Sequence, residues 1–263
     1  MKNIEDSIKD FGDQFKYHNN VDDYWGSAEM LEDIVKPFNL NLVKDKTICE
    51  IGTGSGRILK NLLKKNPYKI YAIEPSEAIV VAKKNNISNI KKIIFKNISG
   101  QMITFKNEID YIFSLGVIHH IPEAEIVCSK IYQSLNKNGK FVMWVYGKEG
   151  NSLYLFIFNN LRKITKLLPD KILNVISIFL NLNLSIYIFL CKFLNLPMRG
   201  YINNVIKKCS FQKRTYIIFD QLNPSYSKYY TKKEVADLLK NAGFTKFEIF
   251  NRYSYSWTAI AEK

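Results

Sequence analysis

The sequence predicts an α/β fold built on an open sheet, with ligand-binding turns at the carboxyl ends of its strands. Residues 47–51 form a short apolar run that contains the acid Glu50 and ends in three glycines at alternate positions: Gly52, Gly54 and Gly56. Leucine and isoleucine at helical spacing follow over residues 58–63, and a second apolar run, residues 70–73, ends at another acid, Glu74. Open α/β sheets use this order of strand, glycine turn, helix and acid to bring bare backbone to a nucleotide.

The glycine turn differs from the turns that hold dinucleotides or triphosphates. The dinucleotide fingerprint needs a small third residue, and the cation Arg57 stands at that position. Glu50 precedes Gly52 by two residues, where its charge would repel a pyrophosphate and attract a positive amine. No Gly-Lys-Ser/Thr follows, which excludes a phosphate P-loop. The turn therefore favours a nucleoside that carries an amino acid.

Four segments in order carry a resemblance to a known family. They are Glu50-Ile-Gly-Thr-Gly-Ser-Gly56, Glu74-Pro75-Ser76, residues 110–122 with a His-His pair, and the glycine turn and strand of residues 135–145. In this order and spacing they resemble the class I S-adenosylmethionine (SAM) dependent methyltransferases, in particular the branch that acts on small molecules. The resemblance covers about residues 45–147, with a closing section at residues 228–262.

The resemblance implies a fold, a methyl donor and a set of binding residues. The fold is a Rossmann-like, mostly parallel sheet of seven strands with the last one antiparallel, helices on both faces and a helical insertion after the fifth strand. SAM is the implied cofactor and S-adenosylhomocysteine the product, with no metal expected. The implied cofactor-binding residues are Glu50, Gly52, Thr53, Gly54, Gly56, Glu74, Pro75, Asn97, Ile98 and Leu115. Asn97 stands where the family usually has an Asp for the adenine amine, and its amide oxygen can still accept a hydrogen bond.

Two adjacent histidines, His119 and His120, are the candidate catalytic residues. They follow the predicted fourth strand, at the sheet edge where ligands bind. Histidine titrates near neutral pH and can take the proton of a hydroxyl acceptor. The alternative is that one or both only shape the loop. His120 matches the position that related sequences keep as His, so we expect it to be the base.

The chain divides into four predicted regions: an N-terminal helical cap (residues 1–44), the SAM-binding core (45–147), a helical insertion (148–214) and a C-terminal completion of the sheet (215–263). Tyr24 and Trp25 in the cap are candidates to cover the SAM site, or they pack as ordinary core. Asp220, Tyr226, Tyr229 and Tyr230 form a candidate acceptor surface, with loop packing as the alternative.

The insertion carries most of the chain's charge. Its eleven cations and two acids, Glu149 and Asp170, give a net charge of +9 out of +14 for the chain. Residues 172–197 are markedly apolar but are interrupted by asparagines and Lys192, which argues against a spanning helix. A lid over the acceptor, a dimer interface and a membrane-surface contact all remain open. The cations, with Arg199 and Arg214 as candidates, would suit an anionic acceptor such as a phosphorylated or nucleotide-linked sugar.

We therefore expect a methyltransferase that acts on a small molecule, most simply at a hydroxyl oxygen, and that contacts no specific nucleic acid. The alternatives are a membrane-associated methyltransferase with a lipid or quinone acceptor, and a non-catalytic SAM-binding subunit; methylation at nitrogen stays open. The N-terminus has no apolar leader pattern, and four scattered cysteines lack metal-binding spacing. Together with the abundance of Lys, Asn and Ile, which is typical of an AT-rich genome, this predicts a cytoplasmic bacterial protein.

Overall fold

The computed structural model describes Ile8 and residues 23–165, 167–222 and 226–263. Its strands are β1 (Thr47–Ile51), β2 (Lys69–Ile73), β3 (Ile93–Lys96), β4 (Ile109–Leu115), β5 (Leu135–Tyr146), β6 (Lys246–Arg252) and β7 (Ser256–Glu262). They form one sheet in the order β3-β2-β1-β4-β5-β7-β6. The first five strands are parallel, and β7 runs antiparallel to both β5 and β6. The predicted seven-stranded Rossmann-like sheet is confirmed.

The sheet is buried on both faces because its strand residues alternate between two cores. In β5, Phe141, Met143 and Val145 enter the core on one face, and Val142 and Trp144 enter the core on the other. This period of two is the geometry of a β-strand, whose successive side chains point to opposite faces. The strands read as continuous apolar runs for the same reason.

Helices cover both faces of the sheet. The helices of the described residues are α1 (Ala28–Val35), α2 (Arg57–Leu63), α3 (Ala78–Asn85), α4 (Ala124–Ser134), α5 (Ser152–Thr165), α6 (Asp170–Leu190), α7 (Arg199–Asn204), α8 (Phe211–Leu222) and α9 (Lys232–Ala242). Apolar residues of α4 and α9 fill the first core, and those of α1 and α2 fill the second. Thr231 and Glu234 form the capping box that starts α9, and Gly243 ends it in the left-handed conformation.

The insertion after β5 is a four-helix lid, which we define as residues 152–222. Leu173 of α6 packs on Ile218 and Leu222 of α8, and a second small core joins α6 to α7. The predicted boundary after residue 214 is wrong, because α8 runs unbroken across it and belongs to the lid through its contact with α6.

The N-terminal cap is described only from residue 23 onward, apart from Ile8, so most of the predicted cap lies outside the described residues. Within the described part, Ser27 caps α1 by accepting from the Met30 amide. Asp33 of α1 pairs with the buried Arg252 guanidinium of β6. This pair ties the cap to the far edge of the sheet.

Candidate active site

The glycine turn after β1 is shaped by two close approaches. Gly52 has φ +77°, and a Cβ there would lie 2.3 Å from Cγ2 of Val117, at the end of β4. Gly56 has φ +79°, and a Cβ there would lie 2.5 Å from the Asn86 side chain, beyond α3. Only glycine adopts this backbone without strain. The turn is therefore held between neighbouring elements with its amides at the sheet edge.

Glu74 is fixed beside the glycine turn by three donors. Its Oε2 accepts from the Gly54 amide at 2.8 Å, and its Oε1 accepts from the amide and hydroxyl of Ser76 at 3.0 and 2.6 Å. The carboxyl lies at the carboxyl end of β2, about twenty residues after the turn, where open sheets place an acid for ribose hydroxyls. The position of the Glu74 carboxyl therefore suits the binding of ribose hydroxyls.

Glu50 is a buried acid with an unsatisfied oxygen. Its side chain is 2% exposed, and its Oε2 has no hydrogen-bond partner among the described residues. Burial raises the pKa of this carboxyl to about 8. A buried acid without a partner is costly, and an ammonium group from a ligand would relieve that cost. The amino group of an amino-acid-bearing nucleoside fits this position.

One continuous cavity of about 830 Å³ joins the glycine turn to the lid. Its floor, as we use the term, comprises the wall residues at the carboxyl ends of β1, β2 and β4; its roof comprises the wall residues of the lid together with Tyr229. Of the predicted site residues, the wall contains Glu50, Gly52, Thr53, Gly54, Glu74, Pro75, Leu115, His120 and Trp25. This volume lies near the upper end of the range for ligand pockets, about 300–1,000 Å³. The cavity therefore has room for a nucleoside and a second small molecule.

Three predicted cofactor residues lie behind the wall. Gly56 packs against Ala82 and Asn86 of the α3 region. Asn97 donates its side-chain amide to the carbonyls of Glu74 and Ser76, at 2.8 and 3.3 Å. Ile98 packs against the first core. The structure thus places all three in supporting positions behind the wall, and their direct contact with the cofactor stays a prediction.

His120 is oriented by a backbone carbonyl. Its Nδ1 lies 2.7 Å from the carbonyl oxygen of Tyr226, so in the neutral ring Nδ1–H donates and Nε2 carries the lone pair. Burial lowers the pKa of His120, with the Tyr226 carbonyl acting in the opposite direction. A neutral imidazole with a fixed tautomer on the cavity wall has the form of a general base.

His119 does not share this arrangement. It is fully buried, lies outside the cavity wall, and neither ring nitrogen has a partner among the described residues. Its ring packs on Tyr146, with centroids 3.9 Å apart, and burial holds its pKa well below the usual value. The structure therefore revises the predicted catalytic role of His119 to an aromatic packing role.

The roof contains a hydrogen-bond network centred on Gln221 of α8. Its Oε1 accepts from the hydroxyls of Tyr154 and Tyr229, at 2.6 and 3.0 Å, and from Arg162 at 3.1 Å. Its amide donates to the Tyr146 hydroxyl at 3.4 Å. Buried networks of this kind fix side-chain positions.

The cations on the cavity wall are Arg57 and Lys213. Lys213 of α8 is 7% exposed, and burial followed by the nearby Arg57 lowers its pKa to about 8. Arg199 and Arg214, predicted as substrate residues, lie outside the wall. Arg214 instead donates to Asn181 and Ser185 of α6, because α8 presents adjacent residues to different sides. Of the described lid cations, Lys213 is therefore the one on the wall, whereas Arg199 and Arg214 are not.

The predicted aromatic residues divide in the same way. Trp25 is on the wall, tilted against Trp144 with centroids 5.8 Å apart, whereas Tyr24 is buried in the second core. Tyr230 is buried in the first core, and Tyr226 reaches the site through its carbonyl. The side chains of Tyr24, Tyr226 and Tyr230, which were candidate substrate residues, therefore do not line the cavity.

Several wall residues were not predicted. Trp144 and Tyr146 lie two positions apart at the carboxyl end of β5, a spacing that puts both on one face and was visible in the sequence. Tyr154, Tyr201 and Gln221 come from lid helices, and no local motif marks them. Glycines and acids signalled the floor; the roof depends on how the helices pack.

The comparison with known proteins agrees with this geometry. A family model described as "Methyltransferase domain" matches residues 49–143, which span β1 to most of β5. Residues 49–143 therefore match a methyltransferase domain, and the sheet has the fold of the class I SAM-dependent methyltransferases. The orphaned Glu50 oxygen and the glycine turn fit SAM, and Glu74 fits the ribose. No group of three or more His, Cys, Asp or Glu residues suitable for a metal occurs among the residues described.

Curated relatives resemble about half of this chain. The tRNA U34 carboxymethyltransferase of Helicobacter pylori is 27% identical over 130 residues, 47% of this chain and 48% of that protein. The phosphoethanolamine N-methyltransferase 2 of Caenorhabditis elegans is 27% identical over 157 residues, 54% of this chain and 36% of that protein. The chain thus spans half or less of these relatives' length.

A solved structure shows the same fold over nearly the whole chain. The 1,6-didemethyltoxoflavin-N1-methyltransferase of Burkholderia thailandensis, with 1,6-didemethyltoxoflavin and S-adenosylhomocysteine bound, has a TM-score of 0.57. It is 14% identical, and the match covers 97% of this chain and 85% of that chain. At this identity the likeness concerns the fold alone.

Proposed function

We propose that this methyltransferase transfers the methyl group of SAM to a hydroxyl oxygen of a small amphiphilic acceptor held beneath the lid. The observation that carries the proposal is the continuous cavity, which joins the SAM-binding floor to His120 and to an aromatic roof. SAM, when bound, would supply a methyl group on a sulfonium. An acceptor oxygen in line with the carbon–sulfur bond would attack the methyl carbon, and the sulfur would leave as the thioether of S-adenosylhomocysteine. A shared cavity supports such alignment, and positioning accounts for much of the acceleration of this reaction class.

His120 takes the proton of the acceptor hydroxyl. The Tyr226 carbonyl fixes Nδ1 as a donor, which leaves Nε2 to accept that proton as the oxygen–carbon bond forms. The lowered pKa of His120 keeps the ring neutral and ready to accept at neutral pH. The charge of Asp220, which is also on the wall, raises the pKa of His120 and would stabilise the imidazolium that results.

The roof selects the body of the acceptor. Tyr146, Tyr154, Tyr201 and Tyr229 present aromatic rings to the cavity, and Ile157, Phe158 and Leu184 add aliphatic and aromatic surface. Such a wall binds an apolar or aromatic body, with a few polar groups to set orientation. Lys213 supplies positive charge for an acidic group on the acceptor. We thus still propose an anionic acceptor, with Lys213 as its partner in place of Arg199 and Arg214.

The proposal of a small molecule rests on the lid. The family match ends at residue 143, before the lid begins, so it does not include the lid residues that would contact the acceptor. The lid covers the cavity with packed helices, an arrangement suited to a small acceptor. Four buried free thiols favour the cytoplasm, which we retain as the proposed location.

The test is SAM binding followed by turnover. Calorimetry on the intact chain should show one SAM site, and product S-adenosylhomocysteine should form with members of a panel of hydroxylated aromatic, quinol and acidic amphiphiles. Magnetic resonance of the product then locates the new methyl group. SAM binding without turnover on any acceptor would favour a non-catalytic subunit, and a methyl on nitrogen would replace the hydroxyl assignment.

A further inference from the structure

The outer face of α6 is an apolar stripe that no element of the described residues covers. Six residues at spacings of three and four lie along it: Ile172, Val175, Phe179, Leu182, Ile186 and Phe189. Each is between 49% and 65% exposed. The stripe continues past both ends of the helix, at Leu167 and at Phe193, which are exposed to 83% and 71%. Contiguous exposed apolar surface of this extent marks an interaction site.

The opposite face of α6 is fixed in the lid. Leu173, Ser177, Asn181 and Ile188 are buried there, and the Asn181 side chain donates to the Phe211 carbonyl and the Thr215 hydroxyl, both at 2.7 Å. The helix is the one among the described residues that is long and apolar enough to cross a membrane by length and composition. Because one face is bonded to α8, a position in the plane of an interface fits this helix better than a crossing.

The stripe is bordered by positive charge. Exposed Lys171 follows Asp170 in the first turn of α6, and exposed Lys192 follows the helix, with its Nζ 5.6 Å from the Phe189 ring. Among the ion pairs formed by described residues, neither lysine has a carboxylate partner. A symmetric contact between two copies would bring these cations together. An anionic lipid surface would compensate them.

The acceptor cavity also reaches the surface of the lid. Leu184 lines the cavity from the buried face of α6, Tyr187 lines it from the flank of that helix, and Ile157 of α5 lines it while 46% exposed. The cavity wall thus extends to lid residues at the surface of the protein. An acceptor with a hydrocarbon part could pass between this surface and the cavity.

We propose that the lid docks on an anionic bilayer surface through the outer stripe of α6, with Lys171 and Lys192 against the lipid headgroups. The docking presents the cavity to amphiphiles in the bilayer, a consequence that rests on the proposed function. Docking itself depends only on the stripe and its lysines, so its failure would leave SAM binding and turnover on soluble acceptors unaffected.

The experiment is flotation of the intact chain with vesicles of phosphatidylcholine and phosphatidylglycerol in equal parts, compared with pure phosphatidylcholine. We expect binding to the anionic vesicles that weakens with added salt. The double variant Phe179→Gln/Ile186→Gln should bind roughly tenfold more weakly or worse, because two large apolar side chains no longer enter the interface. Lys171→Gln and Lys192→Gln should each cost about fivefold on anionic vesicles.

The matched control is Val80→Gln, an apolar-to-polar change at a residue of α3 that is 58% exposed. It should leave vesicle binding unchanged, and calorimetry with SAM should confirm that each variant is folded. The proposal is overturned if the intact chain does not float, or if the double glutamine variant floats as well as the parent. A dimer in light scattering that the double variant dissociates, without vesicle binding by the parent, would assign the stripe to a second copy.

Discussion

The floor and the roof of the cavity, to which we assign the methyl donor and the acceptor, are built by different kinds of interaction. The floor is made by short-range geometry: a glycine turn, an acid at a strand end and hydrogen bonds between adjacent loops. The roof is made by residues far apart in the chain, such as Arg162 and Tyr229, that meet at Gln221. The donor site is therefore fixed by local sequence, whereas the acceptor site depends on the packing of the lid.

A substitution of His120 tests the boundary between the floor and the roof, because His120 lies at the floor and is oriented by the Tyr226 carbonyl. His120→Gln removes the proton acceptor, so the turnover number should fall by about 10²–10⁴-fold. The SAM dissociation constant should change little, since the glycine turn and Glu74 remain. Steady-state kinetics and calorimetry measure the two quantities.

The control for this variant is His119→Phe, which keeps an aromatic ring against Tyr146 and removes two buried ring nitrogens. It should retain activity and gain stability or stay unchanged. A large loss of turnover in His119→Phe with normal turnover in His120→Gln would reverse the assigned roles.

The floor should be intolerant of side chains at its close approaches. In Gly52→Ala the new Cβ would meet Val117 at 2.3 Å at a positive φ, so we expect a loss of about 2–4 kcal/mol in unfolding free energy and loss of SAM binding. Gly200→Ala in α7 is the matched change in the lid, since its nearest contact is Tyr253 at 3.7 Å. Denaturant unfolding should show it neutral or stabilised by up to about 1 kcal/mol.

Glu50 should link SAM binding to pH. Below its pKa of about 8 the carboxyl is protonated, so SAM affinity should rise with pH up to that value, and binding at neutral pH should release a proton. Calorimetry in buffers of different ionisation enthalpy detects the release. Glu50→Gln should weaken SAM binding by about 1.5–3 kcal/mol, the usual worth of a hydrogen bond to a charged group, and should abolish this pH dependence.

The same carboxyl has an opposite effect on stability. Its folded pKa exceeds the unfolded value of 4.5, so the stability that the protonated form gives is lost as pH rises through about 8. Glu50→Gln should therefore melt higher than the parent at alkaline pH. If Glu50→Gln and the parent had the same melting temperature at every pH, Glu50 would not be buried as described.

The roof network should behave as a unit. Gln221→Leu leaves Tyr154, Tyr229 and Arg162 without their shared acceptor, so local stability of α5 and α8 should fall by about 1–3 kcal/mol. Hydrogen exchange should locate the loss in those helices, with the strands unchanged. Gln133→Leu, at an exposed position of α4, should leave the exchange pattern as in the parent.

Of the substitutions considered, the one at Lys213 should have the smallest effect. Lys213→Gln removes a cation from the wall, and the Michaelis constant for an acidic acceptor should rise about tenfold at neutral pH. In the parent this constant should also rise above pH 8, where Lys213 loses its charge. Arg199→Gln, outside the wall, is the control and should leave the constant unchanged.

The sequence was sufficient for the fold and for much of the floor. Gly52, Glu50 and Glu74, predicted to bind the cofactor, lie on the cavity wall at the carboxyl edge of the sheet. Asn97 and Gly56, predicted with them, lie behind the wall, since a motif shows which residues support a turn without showing which side faces the cavity. Tyr226 was predicted as a side chain, yet its carbonyl is the group that contacts His120.

The roof could not be predicted because its contacts depend on helix packing. Lys213 and Arg214 are adjacent and chemically alike, and only the packing of α8 on α6 directs one to the cavity and the other to Asn181. The same holds for Gln221, which lies 59 residues from Arg162 in the chain. The lid boundary was misplaced for this reason, since α8 has no break at residue 214.

Calorimetric titration of SAM into the parent, Glu50→Gln and Gln221→Leu tests the division between floor and roof most directly. One SAM site should appear in the parent, weaken strongly in Glu50→Gln and persist at nearly the parent affinity in Gln221→Leu. No SAM binding by the parent, or equal losses in the floor and roof variants, would contradict the assignment of the donor to the floor and the acceptor to the roof.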